Sequence, residues 1–124
     1  MRYLLDSNII IALTLDTDAN LRARAGACDV DEIVTSAIAY AEVAYGSLNG
    51  KLPNVDELQA FVEEVPVLPF DEPAARAYGS LRFKRGGYDR LIAAHALSRG
   101  LTVVTNNEAD FADVPGLKVE NWTV

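Results

Sequence analysis

Short apolar runs alternate with longer helix-like runs along this chain of 124 residues, and this alternation limits the fold more than any other feature. Buried strands are predicted at residues 2–5, 33–35, 67–70, 101–105 and 118–122. Helices are predicted to begin near residue 9 and to cover residues 18–28, 36–48, 55–65, 73–83 and 89–100. This spacing predicts a single domain over residues 1–124, with an α/β fold. We expect a three-layer α/β/α sandwich around a mostly parallel sheet.

Polar residues and glycines mark the limits of the predicted helices. Asp18, Ser36 and Asp71 precede periodic apolar runs and are predicted N-caps, because their side-chain oxygens can accept from the free N–H groups of a first turn. Gly50 and Gly100 follow such runs, where helices commonly end. In parallel sheets, ligand sites form beyond the carboxyl ends of the strands. The residues that follow the strands are therefore the first candidates for a site.

Composition excludes several classes of protein. Half of the residues are hydrophobic, so a core can form, but no apolar run approaches the ~20 residues of a membrane span. Asp6 interrupts the apolar start of the chain, which argues against a secretory signal. We therefore expect a cytoplasmic protein. Cys28 is the only cysteine, which excludes an internal disulfide and a cysteine-based zinc site.

The distribution of charge leaves a nucleic-acid partner possible. The net charge of −7 is unfavourable for binding phosphates. However, the segment 76–99 contains six of the eleven basic residues and one acid, Asp89. The basic residues are Arg76, Arg82, Lys84, Arg85, Arg90 and Arg99. The segment is either a solvated helix surface or a phosphate-facing patch beside Asp89.

Two carboxylates lie in apolar surroundings in the first third of the chain. Asp6 follows the first predicted strand, and it is either a turn or helix-capping residue or part of a site. Glu42 is the only charged residue in the helix 36–48, which is apolar almost all round and is therefore predicted to be buried. A buried glutamate needs an arginine or a cation to compensate for its lost hydration. The alternative is that Glu42 lies on the one wet stripe of this helix.

Two further carboxylates follow in the second half. Asp89 lies in the first turn of the helix 89–100, where the helix dipole favours the ionised form, although it could be a plain N-cap. Asp110 follows the strand 101–105, and either Asn107 or Asp110 could point back over the edge of the sheet. If the four carboxylates converge, they repel one another unless a divalent cation or shared protons neutralise part of their charge. Ligands that are all oxygen favour Mg²⁺ or Mn²⁺, which can activate water and bridge phosphate oxygens.

The motifs around these acids, taken in order, resemble PIN-domain proteins of the VapC toxin type. The resemblance covers nearly the whole chain, and the segments that carry it are 6–8, 41–46, 89–96, 104–107, 110–111 and 114–122. It implies an endoribonuclease that depends on Mg²⁺ or Mn²⁺ and acts as the toxin of a type II toxin–antitoxin system. By motif position, Asp6 and Asp89 are the principal metal carboxylates, Glu42 and Asp110 are their acidic companions, and Asn107 lies adjacent.

The resemblance also implies partners. The family implies a homodimer and an inhibitory antitoxin that wraps the toxin and places a basic side chain among the acids. For the RNA substrate, we expect Arg82, Lys84, Arg85 and Arg90 to steer the backbone. Cleavage by a metal-activated water is expected to leave a 5′-phosphate and a 3′-hydroxyl.

The chain departs from the family at two places. Asn107 stands where many relatives carry an aspartate, which leaves the fourth ligand open between Asn107 and Asp110. The stretch between Tyr78 and Asp89 is short for the family, so the entry to the site is expected to be reshaped.

Alternatives from other classes fit less well. A PIN-like module that binds RNA or protein without cleaving would not need the full acidic set. A phospho-receiver domain would need a lysine after a later strand, and a haloacid-dehalogenase-type phosphatase would need an aspartate where Asn8 stands. We expect His95 to be a hydrogen-bonded structural residue, and Tyr45 and Trp122 to lie in the core or in a dimer interface.

Overall fold

The computed structural model describes residues 1–81 and 87–124, and in them strands and helices alternate as predicted. The strands are β1 (Tyr3–Leu5), β2 (Ile33–Ser36), β3 (Val67–Leu68), β4 (Thr102–Val104) and β5 (Val119–Glu120). The helices are α1 (Ser7–Leu15), α2 (Ala19–Gly26), α3 (Ala37–Leu48), α4 (Val55–Glu64), α5 (Glu72–Ser80) and α6 (Tyr88–Arg99). Short 3-10 turns occur at Val30–Glu32 and Glu108–Phe111.

The five strands form one sheet in the order β3-β2-β1-β4-β5, and every pairing is parallel. β1 lies in the centre, where Leu5 is opposite Thr35 of β2 and Val104 of β4. The chain moves across the sheet in one direction from β1 to β3 and in the other direction from β3 to β4. Because parallel crossovers are right-handed, the helices of these two parts lie on opposite faces of the sheet. This confirms the predicted α/β sandwich. The strand order reverses beside β1, which is where open sheets of this type form a ligand crevice.

The core lies on both sides of the central strand. All three residues of β1 are buried, as expected for a strand that is covered on both faces. On α6, five consecutive residues from Ile92 to Ala96 are buried. Trp122 is buried and packs edge-on against Tyr3, with ring centroids 4.8 Å apart, which confirms it as a core residue.

The predicted N-caps are confirmed, and they fix where α2, α3 and α5 begin. Asp18, Ser36 and Asp71 each accept a hydrogen bond from a first-turn N–H. Gly100 ends α6 with a positive φ of 66°, which glycine adopts without the strain of a Cβ. No helix in the described ranges combines the length and apolar content that are needed to cross a membrane.

Several expectations from the sequence need correction. α5 ends at Ser80 rather than at Phe83, because Leu81 is already extended. β3 is two residues long instead of four, since Pro69 has no N–H to donate to the ladder. α3 is not buried all round: its buried side is Ala39, Val43 and Ser47, and its outer side is apolar but exposed. Tyr45, predicted for the core or an interface, is 74% exposed and therefore not a core residue.

Candidate active site

Four acidic side chains approach one another at the carboxyl edge of the sheet, beside β1. Asp6 follows β1 directly, and Asp110 lies in the 3-10 turn after β4. Glu42 is on α3, and Asp89 is in the first turn of α6. Asp6 is close enough to Asp89 and to Asp110 for their charges to raise its pKa. We call these four residues the acidic cluster; the structure brings together all four of the predicted carboxylates.

Asp6 is both a helix cap and the buried centre of the cluster. Its Oδ1 accepts from the N–H of Ile9 at 3.1 Å, which begins α1, and the residue is only 5% exposed. Burial raises the pKa of Asp6 from 3.8 to about 6, and the neighbouring Asp89 and Asp110 add to the rise. Hydrogen bonds from the Thr105 hydroxyl and the Ile9 N–H act in the opposite direction, because they favour the ionised form. The cap predicted for Asp6 is therefore confirmed, and the same side chain lies among the other acids of the cluster.

Glu42 presents an unsatisfied oxygen to the cluster. It lies at the half-buried margin of α3, and its Oε1 is buried without a hydrogen-bond partner in the described part of the chain. Burial raises the pKa of the Glu42 carboxyl, with further contributions from Asp89 and Asp6, while a hydrogen bond from Ser7 lowers it. A buried carboxylate oxygen without a partner is costly, and a cation is one way to compensate for it.

The carboxylates of Asp89 and Asp110 are in close contact. The N-cap of α6 is Gly87, so the Asp89 side chain is not occupied in capping the helix. Burial raises the pKa of Asp89, followed by the charge of Asp110 and the hydrogen bond to it, while Arg90 lowers it. Two ionised carboxylates have no hydrogen to donate, so such a contact needs a proton or a cation between them. These are the two ways in which the sequence allowed the repulsion within the cluster to be relieved.

The segment after β4 holds Asp110 in place. The Asn107 amide Nδ2 donates to Oδ2 of Asp110 at 2.9 Å. Arg90 of α6 donates to the backbone carbonyl of Asp110 at 3.2 Å, and its guanidinium pairs with the carboxylate of Asp113. Asp110 is therefore the carboxylate of this segment that lies in the acidic cluster, and the Asn107 amide is bound to it. Arg90, expected to contact RNA, already has a carboxylate partner.

The donors of the cluster fit a hard divalent cation. All of them are oxygens, their negative charge is concentrated in a half-buried space, and one oxygen of Glu42 is left without a partner in the described part of the chain. Within residues 1–81 and 87–124, no three acidic or other ligand groups already lie in a metal-binding arrangement. Carboxylates that repel one another stay apart unless something positive lies between them, so the close contact of Asp89 with Asp110 favours a proton or a cation at this point.

Two hydroxyl residues of the site were not singled out by the sequence. Thr105 contacts Asp6, and Ser7 contacts Glu42. Thr105 could have been found from the register of the sheet: Leu5 is opposite Val104, so the next residue of each strand meets the other. Of the predicted basic residues, Arg82, Lys84 and Arg85 lie outside the described residues.

His95 is confirmed as a hydrogen-bonded structural residue. It is fully buried, its Nδ1 is 2.8 Å from the Ser36 hydroxyl, and its ring meets Phe70 edge-on at 5.4 Å. Burial lowers the pKa of His95, which keeps the ring neutral in the core. The residue thus ties the N-terminus of α3, which carries Glu42, to α6, which carries Asp89.

Comparison with known proteins agrees with this geometry. The family model described as PIN domain matches residues 3–117. The tRNA(fMet)-specific endonuclease VapC of Shigella flexneri is 33% identical to the chain, and the alignment covers 99% of each protein. The similarity therefore extends over the whole domain and is not limited to the motifs around the acids.

Two solved structures share the fold over nearly the full length. VapBC2 from Rickettsia felis, bound to a DNA fragment from their promoter, aligns with a TM-score of 0.88 and 29% identity, over 98% of this chain and 99% of the other. The DNA-bound VapBC from Salmonella typhimurium aligns with a TM-score of 0.86 and 32% identity, over 98% of both chains.

The raised pKa of Asp6 predicts how stability depends on pH. The folded protein holds this proton more tightly than the unfolded chain does, so the free energy of unfolding falls as the pH rises from about 4 through about 6. A shift of about two pKa units corresponds to about 3 kcal/mol. Asp6→Asn keeps an oxygen for the Ile9 N–H but carries no charge. We expect D6N to be more stable than the wild type at pH 8, and to lose that advantage at pH 4.5.

Urea unfolding in the presence of a chelator measures this difference. Asp18→Asn is the matched control, because Asp18 caps α2 in the same way, through the N–H of Leu21 at 2.9 Å, but lies outside the acidic cluster. D18N should show a much smaller gain at pH 8. Equal gains in the two variants, or none in D6N, would contradict the raised pKa.

Proposed function

The chain belongs to the PIN domain family, and we propose that it is a divalent-metal-dependent endoribonuclease, the toxin of a type II toxin–antitoxin pair. The observation that carries the proposal is the convergence of Asp6, Glu42, Asp89 and Asp110 beside the central strand. Its full-length relative from Shigella flexneri is named a tRNA(fMet)-specific endonuclease. We therefore propose RNA as the substrate class, with transfer RNA the first to be tested.

The cation we propose is Mg²⁺ or Mn²⁺, held by the carboxylates of the acidic cluster. When bound, such an ion supplies a water of lowered pKa and neutralises charge on the phosphate oxygens. The chain supplies the positioning. Thr105 and the first turn of α1 fix Asp6, and Ser7 orients Glu42 so that its other oxygen stays available. Because ligand carboxylates must be deprotonated, the raised pKa values mean that cation affinity should increase with pH.

The RNA backbone needs positive charge near an acidic site. We propose that Arg82, Lys84 and Arg85, which precede Asp89 in sequence, provide it. Binding should therefore weaken as the salt concentration rises. This arrangement would let a chain of net charge −7 bind a polyanion locally while it repels nucleic acid elsewhere.

We further propose two protein partners, in a cytoplasmic setting. The first is a cognate antitoxin, since the aligned structures from Rickettsia felis and Salmonella typhimurium are VapBC assemblies. The second is another copy of the chain. Tyr45 and Leu48 on α3, and Leu52 after it, are each at least 65% exposed and leave an apolar surface uncovered in the monomer.

Cleavage of RNA tests the enzymatic proposal. Asp89→Asn removes one carboxylate without removing a helix cap, so the fold should persist. We expect the rate of tRNA(fMet) cleavage to fall by more than about a hundredfold, because a lost metal ligand removes several kcal/mol of transition-state stabilisation. Glu108→Gln is the control: Glu108 is exposed and close to Asp110 in sequence, and its variant should keep the wild-type rate.

The same assay separates the enzyme from a binding module. The wild type should be inactive with a chelator and regain activity with Mn²⁺, and the ends formed should carry 5′-phosphate and 3′-hydroxyl groups. A wild type that binds tRNA but leaves it intact at every Mn²⁺ concentration would favour the non-catalytic alternative. Wild-type rates in D89N would show that the acidic cluster is not the active site.

Thermal unfolding tests the cation directly. A ligand at about a hundred times its dissociation constant stabilises the folded state by about 2.7 kcal/mol, which for a domain of this size raises the Tm by roughly 10 °C. We expect such a rise with Mn²⁺ at pH 8 and a smaller one at pH 5.5. Glu42→Gln should lose most of the rise, although without metal it should be at least as stable as the wild type. An equal rise in E42Q would exclude Glu42 as a ligand.

A further inference from the structure

Arg90 makes the most elaborate side-chain contact near the acidic cluster. It is in the first turn of α6, next to Asp89. Its guanidinium meets both carboxylate oxygens of Asp113, with Nη2 2.7 Å from Oδ2 and Nη1 close to Oδ1. Nη1 also donates to the backbone carbonyl of Asp110 at 3.2 Å. The side chain is 17% exposed, so this guanidinium is largely enclosed by the protein.

These contacts connect two elements that are separate in the chain. Arg90 and Asp113 are 23 positions apart, on α6 and after the 3-10 turn that follows β4. The planar guanidinium engages a carboxylate through two parallel N–H groups and so fixes direction as well as distance. The turn that it grips carries Asp110, whose carboxylate faces Asp89. The distance between these two carboxylates therefore depends on the grip of Arg90.

An RNA phosphate would have to compete for the same atoms. A phosphate that took Arg90 would displace Asp113 and release the backbone of Asp110. A basic residue that serves only to attract RNA needs no such attachment. Arg76, for comparison, pairs with Glu72 on the surface of α5, where both side chains are at least 72% exposed.

We propose that Arg90 is a positioning residue: by clamping Asp113 and the backbone of Asp110 to the start of α6, it sets the spacing of the Asp89 and Asp110 carboxylates and so the affinity of the cluster for a divalent cation. This inference rests on the proposed function, since it assigns a cation to the cluster. It replaces the RNA contact expected for Arg90 from the sequence.

The test measures the dissociation constant of Mn²⁺ by calorimetry, without RNA. Arg90→Lys keeps the positive charge but loses the two-pronged contact. Asp113→Asn keeps the guanidinium but removes its charged partner. Because partners that orient metal ligands are commonly worth 10- to 100-fold in affinity, we expect each variant to weaken Mn²⁺ binding by about tenfold or more. The double variant should bind Mn²⁺ no more weakly than the single variant that binds it more weakly, because both changes break the same contact between Arg90 and Asp113.

Control variants and kinetic constants distinguish a positioning role of Arg90 from a direct contact of Arg90 with RNA. Arg76→Lys and Glu72→Gln repeat the two changes in the exposed pair of α5, and should leave Mn²⁺ affinity within about twofold. With tRNA(fMet) at one fixed Mn²⁺ concentration below saturation, R90K and D113N should both lower kcat and leave KM within about twofold, and saturating Mn²⁺ should restore kcat. An RNA contact predicts the reverse: a raised KM in R90K alone and unchanged Mn²⁺ affinity.

The results of these experiments separate the positioning role of Arg90 from the proposed ribonuclease activity. If the wild type cleaves no tRNA but Mn²⁺ affinity falls in both variants, the clamp stands and transfer RNA is rejected as the substrate. Wild-type Mn²⁺ affinity in D113N, or no Mn²⁺ binding by the wild type, overturns the clamp whatever the activity. If R90K does not fold, D113N alone decides, because Asp113 is 55% exposed and its amide variant preserves shape.

Discussion

The rest of this structure depends on the burial of one carboxylate, that of Asp6, at the point where the strand order reverses. Removing an acid from water opposes its ionisation, and the charges of Asp89 and Asp110 nearby oppose it further. The chain tolerates the arrangement because Asp6 also begins α1, and because Thr105 and the Ile9 N–H donate to it. What remains is an excess of negative charge that only protons or a cation can relieve.

The same residues therefore serve folding and chemistry with opposite requirements. In the metal-free protein, protons favour the fold because they neutralise Asp6, Glu42 and Asp89. A metal-dependent reaction needs those carboxylates ionised. The acids stay in place in both states because neighbouring side chains fix the helices and turns that carry them, and these contacts do not depend on the charge of the acids. His95 ties the helix of Glu42 to that of Asp89 through Ser36, and Arg90 joins the turn of Asp110 to α6.

Much of the fold follows from local rules that the sequence displays. The N-caps Asp18, Ser36 and Asp71 and the apolar strands could be located because each acts within a few residues of itself. Convergence of the acids could be predicted because parallel strands end at one edge. Other features depend on which elements meet. An α3 that is apolar all round gives no sign of which side faces water, and Thr105 meets Asp6 only through the register of β1 with β4. Likewise, no local pattern pairs Arg90 with a carboxylate 23 positions away.

The titration of a single carboxyl group examines the central claim most directly. The side-chain carbon of Asp6 can be followed by NMR in uniformly labelled protein, first with a chelator and then with saturating Mg²⁺. In the chelator we expect a pKa of about 6, because the carboxyl is buried among other acids. With Mg²⁺ the pKa should move well below its ordinary value, because the cation favours the ionised form. A pKa of Asp6 near 3.8 that does not change with Mg²⁺ would contradict this interpretation. Asp6 would then be neither buried among other acids nor next to a bound cation.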